Sequence, residues 1–125
     1  MVLSLSAFAA EASKAAPTQA PAKAILPRLV DLGADKCIPC KMMAPVLKEL
    51  KKEYDGRMEV EFYDVWKKPE AGKAYKISLI PTQIFFDSAR KELFRHQGFI
   101  SREDILAKWK ELGVALKEPA TAKGN

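Results

Sequence analysis

Apolar side chains recur with two different periods along residues 29–65, and these periods predict the first elements. Residues 29–32 are a short apolar run that predicts a buried strand. Residues 38–54 carry apolar side chains at the spacing of one helix face, and Pro45 inside this stretch is expected to kink the helix. Residues 58–65 alternate apolar and polar, as a second strand would. The apolar face of the predicted helix consists of Met43, Val46, Leu47, Leu50 and Tyr54.

The second half of the pattern predicts a short helix, a hairpin and a last helix. Residues 69–75 can form the short helix, and residues 82–86 and 91–97 are strand-like segments that flank a turn. Ser101 and Asp104 match a capping box, so the last helix starts there. Its predicted buried face consists of Ile105, Leu106, Trp109 and Leu112.

The resulting order, β-α-β-α-β-β-α, predicts an α/β fold. A right-handed crossover through the first helix would make the first two strands parallel, whereas the later hairpin is antiparallel. We therefore expect a mixed central sheet of about four strands with helices on both faces.

The two ends of the chain differ from this alternating part. Residues 1–10 end in Ala7-Phe8-Ala9, which has the small-x-small form of a signal-peptidase site, although no basic residue precedes it. We interpret residues 1–10 as the remnant of an export signal, which predicts a periplasmic or otherwise exported protein; the alternative is an insignificant apolar N-terminus on a cytoplasmic protein. Residues 11–24 predict a disordered linker and residues 117–125 a disordered tail, because neither has large apolar side chains to bury. The predicted domain is residues 25–116.

Composition narrows the classes of partner. The 125 residues are 48% hydrophobic and 30% charged, which suits one small domain. The net charge is +5, but basic and acidic residues are interleaved, as at residues 48–53, whereas nucleic-acid binding needs a patch of one sign. No apolar run approaches the roughly 18 residues of a membrane-spanning helix. We expect neither nucleic-acid binding nor stable membrane insertion.

The only two cysteines, Cys37 and Cys40, stand two residues apart where the first strand gives way to the first helix. A disulfide that closes so short a loop removes little entropy from the unfolded chain, so it suits reversible redox chemistry better than stabilisation. Zinc prefers four protein ligands, whereas the chain offers two cysteines and a single histidine. Attachment of a c-type haem needs a histidine where Lys41 stands. Met42 and Met43 leave copper ligation as an alternative. We expect no metal site and no cofactor besides the redox-active disulfide.

The residues around the cysteines resemble the thioredoxin family. In residues 30–45 the acidic strand residue, the Cys-x-x-Cys, the lysine after it and the helix proline stand in the family's register. Residues 75–82 are similar to the family's second signature, in which the proline is cis, and Gly98 fits a third position. Gly33 and Lys36 stand where thioredoxins proper carry tryptophans, and residues 11–28 offer poor material for their N-terminal strand and helix. The chain thus resembles a shortened, exported thioredoxin-like protein with those N-terminal elements reduced or absent.

The resemblance implies a thiol-disulfide oxidoreductase that exchanges electrons with protein thiols and disulfides. Cys37 is the expected nucleophile, because a helix N-terminus stabilises its thiolate, and Cys40 is the expected resolving thiol. Asp31 lies in a strand expected to be buried, so its pKa should be raised, and the resemblance implies that it accepts the proton of Cys40 through water. We expect a monomer that acts as a reductant and, if exported, takes electrons from a membrane thiol transporter.

The resemblance also implies a surface for the substrate chain. A cis Pro81 would face Cys37 and leave the backbone beside it free to pair with the substrate, as in strand addition. The expected substrate-binding residues are Ile38, Pro39, Ile80, Pro81 and Gly98.

Three further residues are interpreted as having no catalytic role. His96 is interpreted as a surface residue, and Trp66 and Trp109 as packing residues. The alternative function, from another class, is a non-catalytic copper metallochaperone or binding module of the same shape.

Overall fold

The structure, a computed structural model, describes residues 25–116. The predicted order of elements is confirmed, and the predicted ends differ from the observed ones by no more than one residue. The elements are β1 (Arg28–Gly33), α1 (Ile38–Glu53), β2 (Glu59–Asp64), α2 (Pro69–Ala74), β3 (Thr82–Phe86), β4 (Glu92–Gln97) and α3 (Arg102–Glu111). The predictions for residues 1–24 and 117–125, including the export signal and the reduced N-terminal elements, lie outside the described residues.

The two long helices begin where their sequences supply a cap. Cys37 is the N-cap of α1, and Pro39 lies in the first turn, where its missing N–H costs no intrahelical bond. The helix continues through Pro45 to Glu53, and the expected kink stays a prediction. Ser101 caps α3 as predicted, because its Oγ accepts a hydrogen bond of 3.1 Å from the Asp104 N–H.

The strands form one mixed sheet in the order β2-β1-β3-β4. β1 and β2 are parallel, whereas β3 runs antiparallel to both β1 and β4. The predicted mixed four-stranded sheet is confirmed. No helix within residues 25–116 is both long and apolar enough to cross a membrane.

One face of the sheet packs against α1 and α3 and holds the main core. Phe85 and Trp109 meet edge to face at 4.9 Å between ring centroids, and neither side chain is exposed. Their burial confirms Trp109 as a packing residue. The buried side chains of this core are Leu29, Met43, Leu47, Leu50, Tyr54, Met58, Val60, Phe85, Ile100, Ile105 and Trp109.

The opposite face holds a smaller core and an ion pair. Val30, Leu32 and Ile84 are buried there under side chains from β2 and the segment after α2. Arg28 Nη2 lies 2.7 Å from Glu61 Oε1, which also accepts a hydrogen bond from the Tyr63 hydroxyl. We call these the helix face and the ion-pair face of the sheet.

The strand ends place four loops together. Gly33 at the end of β1 pairs with Asp64 at the end of β2, and Thr82 at the start of β3 pairs with both Leu32 and Gln97. The segments that follow β1, β2 and β4 and the one that precedes β3 therefore meet at one edge. We call it the carboxyl edge, after the carboxyl end of β1.

Candidate functional site

Cys37 and Cys40 form a disulfide at the carboxyl edge, with 5.1 Å between their Cα atoms. Cys37 Sγ accepts a hydrogen bond of 3.3 Å from the Cys40 N–H at the start of α1. The Cys37 residue is partly exposed, whereas only 4% of Cys40 is exposed. A partner can therefore reach Cys37 more readily than Cys40.

Gly33 makes room for the buried sulfur. A Cβ atom at this position would lie 3.0 Å from Cys40 Sγ and 3.4 Å from a ring carbon of Phe62. Because a Cβ contact this short is tighter than nearly all real ones, a larger residue would require the sulfur to shift by a few tenths of an ångström. Gly33 thus lets Cys40 pack directly against the end of β1.

Asp31 lies on the same face of β1 as Gly33, because alternate residues of a strand point to the same side. It is completely buried, and its Oδ1 accepts a hydrogen bond of 2.9 Å from Gln83 Nε2. Its Oδ2 is buried without a hydrogen-bond partner among residues 25–116. Burial raises the pKa of Asp31 to about 6, although the Gln83 hydrogen bond acts in the opposite direction. The predicted burial and raised pKa are confirmed.

Pro81 and Gly98 are adjacent at the carboxyl edge. The Ile80–Pro81 peptide bond is cis, as expected, and the Gly98 N–H donates to the Pro81 carbonyl at 2.7 Å. Gly98 has φ of +99°, a conformation that side chains rarely adopt. The Thr82 hydroxyl donates to the Leu79 carbonyl at 2.6 Å and fixes the turn before β3.

Exposed apolar side chains surround these residues. Ile38, next to Cys37, is 72% exposed, and Trp66, after the end of β2, is 59% exposed. The interpretation of Trp66 as a packing residue is therefore wrong. Its backbone N–H donates to Asp64 Oδ1 at 2.9 Å, in a loop that leaves the sheet. Exposed apolar groups beside a disulfide are typical of a protein-binding surface. The others near this edge are Met42, Phe62, Leu79 and Phe99.

Sequence reasoning missed Gln83, and with it a contact of His96. Gln83 is buried between Thr82 and Ile84, and its Oε1 lies 3.0 Å from His96 Nδ1. His96 is thus half-buried, and its interpretation as a surface residue is wrong, because β4 packs against β3 at this position. A lone amide directly before the apolar residues 84–86 of the strand was the signal that could have found this contact.

Within residues 25–116, no group of three or more His, Cys, Asp or Glu side chains could hold a metal ion. The expectation of no metal and no further cofactor stays a prediction.

A mixed sheet with a Cys-x-x-Cys disulfide at a helix N-terminus and a cis-proline at the same edge defines a thioredoxin-like thiol-disulfide oxidoreductase. The model of the Thioredoxin family matches residues 10–111. The chain belongs to this family.

Curated relatives and solved structures agree. A thioredoxin of Staphylococcus epidermidis is 46% identical over 78 residues, which are 62% of this chain and 74% of the relative. A thioredoxin of Staphylococcus aureus is 44% identical over the same shares of the two chains. Chloroplastic thioredoxin z has a TM-score of 0.63 at 25% identity, covering 71% of this chain and 80% of that one. A structure described as a malarial protein has the same fold, with a TM-score of 0.66 at 24% identity over 71% of this chain and 99% of that one.

The family and the cysteine pair make the chain a thiol-disulfide oxidoreductase with protein thiols and disulfides as its substrate class. The non-catalytic alternative is not favoured.

Proposed function

We propose that this oxidoreductase acts as a reductant of protein disulfides, with Cys37 as nucleophile, Cys40 as resolving thiol and Asp31 as proton acceptor. The observation that carries the assignment is the unequal placement of the two sulfurs. Cys37 is partly exposed at the N-terminus of α1, whereas Cys40 is buried above the face that holds Asp31.

The reaction proceeds in two exchanges. The Cys37 thiolate attacks one sulfur of the substrate disulfide, which forms a mixed disulfide and releases the other sulfur as a thiolate. The Cys40 thiol then gives its proton to the Asp31 carboxylate through a water molecule, and the Cys40 thiolate attacks Cys37 Sγ. The Cys37–Cys40 disulfide forms, the second substrate thiolate leaves, and two electrons have passed to the substrate. No cofactor other than the cysteine pair is needed.

The position of Asp31 supports its role. A carboxylate that accepts a proton needs a free oxygen, and Asp31 Oδ2 has no partner among the described residues. A pKa of about 6 keeps most of the carboxyl ionised at neutral pH while leaving it basic enough to receive a proton.

We place the substrate chain along the carboxyl edge, against Ile38 and Pro39 on one side and Ile80, Pro81 and Gly98 on the other. Their exposed apolar surroundings support this placement. The contacts would be those of an extended peptide added beside a strand.

Reduction of a quenched, disulfide-bonded reporter peptide by dithiothreitol tests the function. The protein should accelerate the appearance of fluorescence, whereas Cys37→Ser should give the rate of dithiothreitol alone. Ser88→Ala, in the turn at the opposite end of the sheet, is the matched control and should keep the wild-type rate. A Cys37→Ser variant as fast as wild type would refute the proposed catalysis by Cys37.

Brief alkylation of the reduced protein near pH 7 tests the two roles separately. Peptide mass spectrometry should find Cys37 labelled far faster than Cys40, because only Cys37 combines exposure with the helix N-terminus. Equal labelling would contradict the assignment.

We further propose that the protein is an exported monomer that receives its electrons from a membrane thiol transporter. The small-x-small sequence at residues 7–9 supports export. Mass spectrometry of the N-terminus after expression in a Gram-negative host should find cleavage near Ala9, and light scattering should give the mass of one chain. An intact N-terminus on protein that stays in the cytoplasm would contradict export.

A further inference from the structure

Three polar side chains form a hydrogen-bonded row across the helix face. Asp31 on β1 stands directly opposite Gln83 on β3, which stands directly opposite His96 on β4. Gln83 Nε2 donates to Asp31 Oδ1 at 2.9 Å, and Gln83 Oε1 lies 3.0 Å from His96 Nδ1. Asp31 and Gln83 are completely buried, so the row connects the buried carboxyl to the half-buried imidazole.

We propose that His96 is a positioning residue for the exchange reaction: it determines which end of the Gln83 amide faces Asp31, and thereby which protonation state of Asp31 is favoured. The proposal rests on the role of Asp31 proposed above. His96 does not touch the reacting sulfurs in this scheme and acts through Gln83.

The effect follows from the two unlike ends of an amide, one an acceptor and the other a donor. When His96 Nδ1 carries a proton, it donates to Gln83 Oε1, and the NH₂ group must face Asp31. That orientation stabilises the Asp31 carboxylate. When Nδ1 has no proton, the amide can turn over, so that its NH₂ group donates to Nδ1 and its oxygen accepts from a protonated Asp31.

The row can therefore support both states of the carboxyl during the exchange. A carboxylate pairs with the first orientation before Cys40 gives up its proton. After Oδ2 has received the proton, rotation of the carboxyl group presents its O–H to the amide oxygen of the second orientation. A protonated imidazolium allows only the first orientation. His96 and Asp31 thus influence one another without contact, and by linkage the influence is reciprocal.

Other groups near the row do not replace this connection. Around Asp31, Phe62 stands opposite on β2 and Cys40 lies above Gly33. His96 borders a cavity of about 410 Å³ between β4 and α3, and the charged side chains that line it are Asp104, Lys108 and Glu111. Lys108 and Glu111 pair with each other at 3.0 Å. His96 is itself partly exposed, so it can exchange protons with solvent.

Carbon-13 NMR of the Asp31 carboxyl, titrated in the full-length oxidised protein, tests the connection. His96→Leu removes the donor to Gln83, so the titration midpoint of Asp31 should rise by roughly 0.5 to 1 pH unit. His96→Asn is the matched rescue, because its amide can donate from a similar position, and should keep the midpoint within about 0.2 pH unit of wild type. An unchanged midpoint in folded His96→Leu would overturn the proposal.

The reporter assay gives a second readout. In His96→Leu the acidic limb of the pH–rate profile should move to higher pH, as the Asp31 midpoint does. A merely structural effect would instead lower the rate equally at every pH. If Asp31→Asn leaves the rate unchanged at all pH values, the proposed role of Asp31 is wrong, and the NMR midpoints still decide whether His96 controls its protonation.

Nitrogen-15 NMR of the wild-type imidazole requires no variant and so remains decisive if His96→Leu does not fold. At a pH where Asp31 is ionised and His96 neutral, the proton should reside on Nδ1. A proton on Nε2 with a bare Nδ1 would contradict the proposal.

Discussion

Each face of the sheet carries an acidic side chain with a different kind of partner. On the helix face, Asp31 is completely buried, and its hydrogen-bond partner is the neutral amide of Gln83. On the ion-pair face, Glu61 is partly exposed and is held by the Arg28 guanidinium and the Tyr63 hydroxyl. The pKa of Asp31 is raised by burial, whereas the Arg28 hydrogen bond lowers the pKa of Glu61.

The difference separates a carboxyl that can take up a proton near neutral pH from one that stays ionised there. The pKa of Asp31, about 6, lies just below neutral pH, so the mostly ionised carboxyl can accept a proton from a neighbouring thiol. Glu61 stays ionised because losing its charge would leave Arg28 without an ionic partner. The carboxyl proposed to transfer protons, Asp31, thus lies on one face of the sheet, and the ion pair of Glu61 with Arg28 lies on the other.

The largest expected difference between the faces is in catalysis. When pre-reduced protein is mixed with the reporter peptide without dithiothreitol, Cys40→Ser on the helix face should stop the reaction at the mixed disulfide, because Cys37 can no longer be released from within the chain. Glu61→Gln on the ion-pair face should leave the rate nearly unchanged. Mass spectrometry should find the peptide trapped on Cys37 in Cys40→Ser, and complete release of the reduced peptide by that variant, still without dithiothreitol, would contradict the role of Cys40.

The second difference concerns stability and pH. Folding raises the pKa of Asp31 from 3.8 to about 6, so between these values the folded protein holds a proton that the unfolded chain has released. The free energy of unfolding therefore falls as pH rises through this window, by about 3 kcal/mol in total. Asp31→Asn removes this loss, so at pH 7 the oxidised variant should be more stable by up to about 3 kcal/mol.

Urea denaturation at pH 3.5, 5 and 7 measures the Asp31→Asn effect. The gain should be small at pH 3.5 and largest at pH 7. A variant that is less stable at pH 7, with the wild-type pH dependence, would show that the buried carboxylate carries no energetic penalty.

The third effect, of Glu61→Gln on the free energy of unfolding at pH 7, has the opposite sign to that of Asp31→Asn. The lowered pKa of Glu61 contributes stability at pH values above its unfolded pKa, and this contribution is lost as pH falls through the folded value. Glu61→Gln should therefore reduce the free energy of unfolding at pH 7 by about 1 kcal/mol, a magnitude typical of a partly exposed pair. Glu59→Gln, the same charge change on the same strand, is the control, and an equal loss in both variants would indicate a net-charge effect.

The smallest effect is expected where the two faces meet, at the carboxyl edge. Trp66 is mostly exposed, so Trp66→Ala should change the free energy of unfolding by less than about 0.5 kcal/mol. If the exposed ring binds the substrate chain, KM for the reporter peptide should rise several-fold while kcat is retained. Steady-state kinetics beside a denaturation curve separates the two quantities, and an unchanged KM would remove Trp66 from the binding surface.

Periodicity was sufficient to predict every element of residues 25–116. Leu29, Val60 and Phe85 lie in segments short enough to be strands, and the positions of Met43, Leu47 and Leu50 are those of one helix face. Such patterns can be read from local sequence, because an element must place its apolar side chains on one side to bury them, whatever element it packs against.

The contacts of the site depended on which residues of neighbouring strands stand opposite one another, and this register cannot be read from the spacing of residues along the chain. The burial of Asp31 could be predicted from its strand, but its pairing with Gln83 required β3 to lie beside β1 with these residues opposite one another. The position of His96 required the same of β4. The exposure of Trp66 depended on where β2 ends, since Trp66 lies two residues beyond its last residue, Asp64.

The position of β2 has a consequence for self-association. Within residues 25–116 this strand pairs with β1 alone, so one of its edges presents backbone groups that could join a second sheet. Glu59, Glu61 and Asp64 give that edge three negative charges in six residues. Two copies that met along β2 would bring these like charges together, and their repulsion disfavours the contact. The strand whose Glu61 pairs with Arg28 therefore also opposes aggregation through the edge of the sheet.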